Sequence, residues 1–217
     1  MSEGETMMIT WHGHSCFEVK DGVTVVTDPH DGKSIGVKPP VVKADIVLIS
    51  HEHFDHNCAR IVRGEFKCVR EPGRRIEKGV DIRGVPAFHD DSEGAKRGKI
   101  NIFRFVLDGV VFCHAGDLGH MLDKETIAEL QPIDVLFLPV GGVFTIDGKQ
   151  AQELIEVLRP KVAVPMHFRI GGLSMSIHTL NEFLEGLPED KVVRVGNEIE
   201  FMPDELPEET EYWIFSP

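Results

Sequence analysis

Apolar and polar residues alternate along the first part of the chain, as half-buried β-strands require. This period-two pattern predicts three strands, Met7–His12, Ser15–Lys20 and Val23–Thr27. Asp21-Gly22 is a tight-turn dipeptide, so the last two strands form a hairpin. In an antiparallel hairpin the start of one strand lies level with the end of its partner. We therefore expect His14 to lie near Asp28.

The pattern stays strand-like through the middle of the chain and then changes to alternating helices and strands. The middle strands are predicted at Asp45–Ile49, Val80–Ala87, Ile100–Leu107 and Val110–Cys113. Beyond residue 117 the apolar spacing predicts helices Lys124–Leu130, Lys149–Leu158 and Met175–Leu184, with strands Ile133–Leu138 and Lys161–Pro165 between them. Asp147 or Gly148 begins the second helix, and Gly186 ends the third.

Two sheet-forming halves of this kind are typical of an α/β (α+β) fold in which two sheets face each other. Helices outside the two sheets give a four-layer αββα sandwich. A chain of 217 residues, of which 41% are hydrophobic, is long enough to bury one substantial core. We therefore predict a single domain over residues 1–217, with the strand ends of both halves meeting at one edge of the sandwich.

The composition indicates which partners and which compartment to expect. A formal net charge of −13 repels polyanions and anionic lipid at long range, which argues against nucleic acid and membranes and favours a small-molecule substrate. Two basic stretches, Arg70–Lys78 and Lys96–Lys99, fit ordinary solvated loops. No apolar stretch has membrane-spanning length, and Met1–Glu5 is acidic rather than the basic start of an export signal, so we expect a cytoplasmic protein.

The C-terminal tail beyond Pro203 combines five acidic residues with three aromatic ones. The acidic residues are Asp204, Glu205, Glu208, Glu209 and Glu211, and the aromatic residues are Tyr212, Trp213 and Phe215. The aromatic residues favour either a docking or homo-oligomer contact or a loosely packed terminus.

The most informative motif is HEHFDH, which follows the apolar run 46–49. It places three imidazoles and a carboxylate at a strand end, and these are the donors that borderline divalent metals prefer: His51, His53, Asp55 and His56. Side chains alternate along extended backbone, so one short loop can serve two adjacent ions. The alternative is a polar turn after a buried strand. The four cysteines of the chain are expected to be free. One of them, Cys58, lies close to the motif in sequence, so an auxiliary role in the metal site stays open for it.

Further metal ligands are expected at the ends of later strands, because an open metal site needs more donors to fix its geometry. His89, Asp117 and His167 each come directly after a predicted strand. Taken alone, His89 or His167 also fits a hydrogen-bonded histidine at a strand edge. Together with HEHFDH they indicate one metal centre.

These residues resemble the metallo-beta-lactamase-fold hydrolases. More narrowly, WHGHSCF at Trp11–Phe17, TDP at Thr27–Pro29, HAGD at His114–Asp117, GGVFT at Gly141–Thr145 and PMHF at Pro165–Phe168 are similar to the branch that includes the ascorbate-6-phosphate lactonases. The resemblance runs from about Met8 to Phe168. Three positions depart from the relatives: Leu118 stands where many have threonine, and Asp90 and Asp91 stand where serines are frequent.

The resemblance implies two metal sites, with Asp117 bridging the two ions. His51, His53 and His89 would bind one ion, and Asp55, His56 and His167 the other. A related redox branch has glutamate at the second histidine of the motif, whereas here His53 is kept, which favours hydrolysis over electron transfer. Zinc suits such a histidine-rich site, and manganese and iron accept the same donors.

Other residues near the ligands in sequence are candidates for supporting roles. Asp28 either orients a histidine ligand or simply begins the turn at Pro29. His14 and His114 are candidates for positions next to the ligands or the substrate. Arg169 either pairs with a phosphate or carboxylate of the substrate or is a surface arginine. The mouth of the site is expected among His30, His114, Phe144, Thr145, Phe168 and Arg169. His12, His120 and His178 are interpreted as structural or exposed.

The sequence therefore favours a dinuclear metal-dependent hydrolase of a small ester, lactone or phosphorylated metabolite. Attack by a hydroxide shared between the two ions needs no serine or cysteine nucleophile, and Asp55 is available to accept its proton. Two alternatives stay open: a phosphodiesterase or nuclease, which needs a coherent basic face, and a non-enzymatic metal-binding protein, which needs only a closed site of four donors.

Overall fold

In the computed structural model, which describes residues 6–216, two β-sheets pack face to face. The acidic segment Met1–Glu5 lies outside the described residues. The α/β sandwich predicted from the alternating patterns is confirmed.

The first sheet has six strands and contains the predicted meander. Its members are β1 (Met7–Trp11), β2 (Phe17–Asp21), β3 (Val23–Thr27), β4 (Ile46–Leu48), β5 (Lys67–Val69) and β13 (Glu198–Phe201), in the spatial order β13-β1-β2-β3-β4-β5. β1, β2 and β3 are antiparallel neighbours, whereas β4 joins β3 in parallel. The carboxyl ends of β3 and β4 therefore lie at the same edge.

The second sheet has eight strands and is antiparallel at one side and parallel at the other. It consists of β6 (Gly73–Glu77), β7 (Val80–Phe88), β8 (Lys99–Leu107), β9 (Val110–His114), β10 (Val135–Pro139), β11 (Val162–Met166), β12 (Val192–Arg194) and β14 (Glu211–Ile214). The spatial order is β12-β14-β11-β10-β9-β8-β7-β6. Because β9, β10 and β11 are parallel, their carboxyl ends share one edge.

The main core lies between the two sheets. Phe17 of the six-stranded sheet meets Phe137 of the eight-stranded sheet with ring centroids 4.4 Å apart, and neither side chain is exposed. Phe105 and Phe112 extend this aromatic layer with rings that stack at 5.2 Å. Close packing of large buried rings fixes the spacing of the sheets and hence of the loops at their edge.

Three helices pack against the eight-stranded sheet: α1 (Lys124–Leu130), α2 (Gly148–Leu158) and α3 (Asn181–Leu184). A reciprocal capping box begins α2, since the Asp147 side chain accepts from Gln150 N and the Gln150 side chain accepts from Asp147 N. The outer face of the six-stranded sheet is covered instead by loops and a 3₁₀ helix, Ala59–Ile61. No helix within residues 6–216 has the length and apolarity that crossing a membrane requires.

The third helix is much shorter than the predicted Met175–Leu184. Residues 175–180 are not helical, because their backbone groups are used by neighbouring loops. His178 N donates to Gly141 O at 2.8 Å, and His178 O accepts from Arg169 N at 2.8 Å. Ile177 is buried in the same stretch, so tertiary contacts override the helical spacing.

The prediction of a loosely packed terminus is wrong for the aromatic residues of the tail, whereas a homo-oligomer contact stays a prediction. The short strand β14 pairs in parallel with β11 on one side and β12 on the other. Trp213 and Phe215 are 5% and 3% exposed, and the Trp213 ring meets Phe201 edge to face at 5.4 Å. The tail is therefore an inner strand of the sheet and not a loose terminus.

Candidate metal centre

All the predicted ligands lie just beyond the carboxyl ends of strands, at one edge of the sandwich. HEHFDH follows β4, His89 follows β7, Asp117 follows β9 and His167 follows β11. Asp28 follows β3 in the same way, and His14 lies in the turn after β1. Strands that end together deliver side chains from distant parts of the chain to one place, as is usual for sites in α/β sheets.

The structure gathers the predicted ligands into two donor groups. In the first group, ligand atoms of His51, His53 and His89 all lie within 4.8 Å of one another. In the second, the same holds for His14, Asp55, His56 and His167. These groups can bind metal ions.

Asp117 lies between the two groups. Its Oδ2 atom is 3.2 Å from Nε2 of His89 in the first group and 3.2 Å from Nε2 of both His56 and His167 in the second. Nε2 of His51 is 3.8 Å away. One buried carboxylate oxygen thus faces ligand atoms of both groups.

The chemistry of the donor set fits cations. Nε2 of His51 and Nδ1 of His53 face each other at 3.0 Å, and Nε2 of His56 and Oδ1 of Asp117 are buried without a hydrogen-bond partner among the described residues. Buried polar atoms left unpaired in this way cost free energy. A cation at this place would pair these atoms, and imidazole with carboxylate is a donor set that suits zinc, manganese and iron.

Asp28 sets the hydrogen-bonding state of two of the histidines. Its carboxylate accepts from Ser50 N at 2.7 Å, from Ser50 Oγ at 2.6 Å and from His56 Nδ1 at 2.9 Å. Since the Ser50 hydroxyl donates to Asp28, it accepts from His51 Nδ1 at 2.9 Å. With a proton on Nδ1 of each ring, the Nε2 atom of each ring has a lone pair available for a metal. In many metal sites a carboxylate fixes the tautomer of a histidine ligand in this way.

Replacing this carboxylate should weaken metal binding without removing any ligand. In Asp28→Asn the amide nitrogen competes for the position opposite His56 Nδ1, so we expect metal affinity to fall about 10- to 100-fold. Competition with a chelating dye measures it. Asp31→Asn is the matched control, because Asp31 lies three residues away and hydrogen-bonds Ser34 outside the donor groups. Unchanged affinity in Asp28→Asn would show that Asp28 only shapes its turn.

His14 lies directly against other members of the second donor group. It has a left-handed backbone conformation, φ 54°, and its Nε2 is 3.1 Å from Asp55 Oδ2. Its ring centroid is 4.3 Å from that of His167. The turn is held by Trp11 Nε1 and His167 N, which both donate to His14 O. The structure thus brings His14, a sequence candidate for the surroundings of the ligands, into direct contact with the ligand candidate Asp55.

Other candidates lie outside the donor groups. His114 is buried and pairs through Nε2 with Ser15 O at 3.0 Å and through Nδ1 with Gly116 N at 3.2 Å, so it braces the turn that carries Asp117. Arg169 is exposed, and its role toward substrate stays a prediction. His30, proposed for the mouth, is buried and donates to the carbonyls of His12 and Gly13 behind the His14 turn.

The remaining sequence predictions concern isolated histidines and cysteines. His12 contacts Glu18 at 3.2 Å and His178 contacts Glu182 at 3.0 Å, both away from the donor groups. His120 accepts from Phe88 N. All four cysteines are free, and three of them are buried: Cys16, Cys58 and Cys113.

Gly116 is needed where the Asp117 turn presses against the Asp28 network. Its φ is +55°, and a Cβ at this position would lie 2.7 Å from the Cβ of Ser50. Glycine tolerates both the left-handed backbone and the close approach. Any larger residue would push Asp117 and Ser50 apart.

Burial and mutual contact shift the protonation of the centre. Burial lowers the pKa of His14 and His51 to about 3, and that of His30 to about 4. Burial opposes the charged form of Asp117 too, yet the neighbouring His167 and His56 hold its pKa well below the ordinary value. For His56 the carboxylates of Asp117, Asp28 and Asp55 outweigh burial and raise the pKa.

These shifts predict how the metal-free protein responds to acid. His14, His30 and His51 are neutral when folded but titrate near 6.5 when unfolded, so the unfolded chain binds more protons and stability falls as the pH decreases from 6.5 toward 4. His56 has a raised pKa and is protonated in the folded state, so its stabilising contribution reaches its full value as the pH falls below 6.5 and offsets a small part of the loss. From pH 6.5 to 5.5 each of the three should cost on the order of 1 kcal/mol.

Urea unfolding of chelator-treated protein at the two pH values measures this loss. His30→Gln should remove on the order of 1 kcal/mol of this loss, whereas His178→Gln at an exposed position should leave the loss unchanged. A stability that is constant or increases on acidification would contradict the assignment of neutral buried histidines.

Comparison with known proteins identifies the family. A model described as Beta-lactamase superfamily domain matches residues 8–167. A UPF0173 metal-dependent hydrolase of Methanopyrus kandleri is 35% identical over 195 residues, covering 75% of this chain and 84% of the relative. That of Thermoplasma acidophilum is 31% identical over 189 residues, covering 76% and 84%. The chain belongs to the UPF0173 metal-dependent hydrolases of the metallo-beta-lactamase superfamily.

A solved structure agrees with the family assignment. A Thermotoga maritima protein described as a Zn-dependent hydrolase of the metallo-beta-lactamase superfamily superposes with a TM-score of 0.81 at 38% identity, covering 96% of this chain and 98% of that one. This UPF0173 member is thus a metal-dependent hydrolase with a His/Asp cluster able to bind metal. The narrower resemblance to the ascorbate-6-phosphate lactonases stays a prediction.

Proposed function

We propose that this UPF0173 protein is a dinuclear hydrolase of a small ester, lactone or phosphorylated metabolite. The observation that carries the proposal is the position of Asp117 Oδ2, 3.2 Å from Nε2 of His89 in one donor group and of His56 and His167 in the other. A carboxylate in this place can bridge two ions. A pair of divalent ions brings the pKa of a bound water toward neutrality and polarises the oxygen of the substrate.

The residues around such a pair of ions would have different roles. His51, His53 and His89 would hold one ion, and Asp55, His56 and His167 the other, with His14 contacting Asp55. Asp28 and Ser50 keep the ring protons of His56 and His51 on Nδ1. Asp55 Oδ2, which accepts from His14 Nε2, is positioned to take up the proton that leaves the nucleophile.

Zinc is the proposed metal. The donor set is rich in imidazole, and the Thermotoga maritima relative is described as Zn-dependent. Manganese and iron accept the same donors, so they belong in the test.

The basic stretch 70–78 gives no support to the rival nuclease function. It does not form a coherent basic face, because its cations are paired with carboxylates: Arg70 with Glu52, Arg74 with Asp81, Arg75 with Glu71 and Lys78 with Asp45. A surface that grips nucleic acid needs cations free to meet phosphates.

A substrate screen tests the proposal. Protein stripped by a chelator and reloaded with zinc, manganese or iron is offered lactones, small esters, thioesters, phosphodiesters and RNA. We expect the stripped protein to be inactive and the reloaded protein to hydrolyse small esters or lactones. If the protein hydrolysed RNA but none of the small esters or lactones, the nuclease function would be favoured over hydrolysis of small molecules.

A further inference from the structure

A cavity of about 330 Å³ opens directly beside the first donor group. His51 and His53 form part of its wall, so a molecule in the cavity lies next to the proposed metal site. Its other polar side chains are Ser50, Glu52, Arg70, Arg97, Lys99 and Asn101. Three of them are cations, which is unusual next to a metal site in a chain of net charge −13.

One of the three cations is already neutralised. Arg70 Nη1 is 2.6 Å from Glu52 Oε1, so this pair adds no net charge to the cavity. Arg97 and Lys99 have no carboxylate within 4.0 Å among residues 6–216. Two positive charges without ion-pair partners therefore face the cavity beside the histidines.

Arg97 is held in place by its surroundings. Its guanidinium carbon lies 4.2 Å from the centroid of the Phe144 ring. Its backbone N–H donates to Asp90 Oδ2 at 2.7 Å. Arg97 also lines a second cavity of about 260 Å³, together with His89 and Phe144. It thus lies at the border of two cavities that both touch ligands of the first donor group.

Asp90 organises the loop that carries Arg97. The carboxylate is buried, and it accepts backbone N–H groups from four residues of its own loop: Ser92, Gly94, Lys96 and Arg97. Since Asp90 directly follows the ligand His89, the loop is fixed relative to the metal site. A guanidinium on such a loop is preorganised, which reduces the entropy lost when it binds an anion.

We propose that Arg97 and Lys99 form an anion subsite that binds a phosphate or carboxylate group of the substrate while its scissile bond lies at the metal site. The inference rests on the proposed hydrolase function and narrows its substrates to anionic ones. A guanidinium fork and an ammonium bind oxyanions by charge-assisted hydrogen bonds. Together their two charges match a phosphomonoester better than a carboxylate, so the expected order of preference is phosphate, carboxylate, neutral.

A series of esters that differ only in a terminal methyl, carboxylate or phosphate group tests the subsite in the zinc-loaded protein. The readout is the ratio of kcat/KM for each anionic ester to that for the neutral one. In the double variant Arg97→Gln/Lys99→Gln we expect this ratio to fall at least about tenfold. Lys96→Gln is the matched control, because Lys96 belongs to the same loop but is paired with Asp91 at 2.8 Å.

A binding measurement separates failure of the subsite from failure of the hydrolase function. Calorimetric titration of zinc-loaded protein with inorganic phosphate should give an affinity at least about tenfold lower in the double variant than in the wild type or Lys96→Gln. If no ester is hydrolysed and this difference is still found, the subsite stands and the hydrolase proposal fails. Equal phosphate affinities and equal ester ratios in all three proteins would overturn the subsite, and a loss in Arg169→Gln instead would assign the anion to Arg169.

Discussion

Asp117→Ala should lower hydrolytic turnover by at least about a thousandfold, which corresponds to ~4 kcal/mol of transition-state stabilisation. Asp117 is 2% exposed, and its Oδ2 faces Nε2 atoms of both donor groups. Without it neither group is complete, and its histidines lose the negative charge that balances them. We therefore expect the metal content per chain to fall along with turnover.

Steady-state hydrolysis of the best substrate and elemental analysis of the same preparation measure both effects. Asp91→Ala is the control, because Asp91 is exposed and pairs only with atoms of its own loop. It should retain both metal and turnover. An Asp117→Ala protein with full turnover would refute the bridged dinuclear mechanism.

Trp213→Ala should cost about 3–5 kcal/mol of the free energy of unfolding, the range for truncation of a buried large aromatic residue. Trp213 is 5% exposed, lies on an inner strand of the eight-stranded sheet and packs edge to face on Phe201 of the other sheet. Its loss opens a cavity where the last strand closes the core. Urea unfolding of the chelator-treated protein measures the change without a contribution from bound metal.

Val41→Ala provides the comparison for this substitution. Val41 is 69% exposed, so its truncation should change the unfolding free energy by less than about 0.5 kcal/mol. A Trp213→Ala protein as stable as Val41→Ala would mean that the tail does not pack in the core in solution.

The elements that could be predicted from sequence are those whose signals are local. The meander β1–β3 combines strict alternation with an Asp21-Gly22 turn, and α2 has its own capping box at Asp147. The short strand β14 has no such signal, because its partners lie far away in sequence and the sheet supplies its hydrogen bonds. The predicted third helix was too long for the same reason. The backbone N–H of His178 donates to Gly141 O, and its carbonyl oxygen accepts from Arg169 N.

The candidate site likewise contains some features that local sequence signals predict and others that they do not. HEHFDH is a local motif, and the strand-end rule led to His89, Asp117 and His167, which the structure brings to within ion-binding distance of it. The approach of His14 to Asp55 depends on a left-handed turn and on packing between the sheets, which sequence patterns do not show.

The sequence predicts that Arg97 belongs to an ordinary solvated loop. The four backbone hydrogen bonds of Asp90 fold that loop back over Phe144, so that a stretch of ordinary basic composition contributes to the wall of a cavity. Neither hydrophobic periodicity nor net charge reports the path of such a loop. The path of the loop is determined by the hydrogen bonds that its backbone makes in the folded protein.

Anomalous diffraction at the zinc absorption edge, from crystals of the zinc-loaded protein, locates the bound ions. We expect two peaks roughly 3.5–4 Å apart, the usual separation in two-metal sites. One should lie beside His51, His53 and His89 and the other beside Asp55, His56 and His167, with Asp117 between them. A single peak, or a pair outside coordinating range of His89, Asp117 and His167, would contradict the bridged dinuclear site.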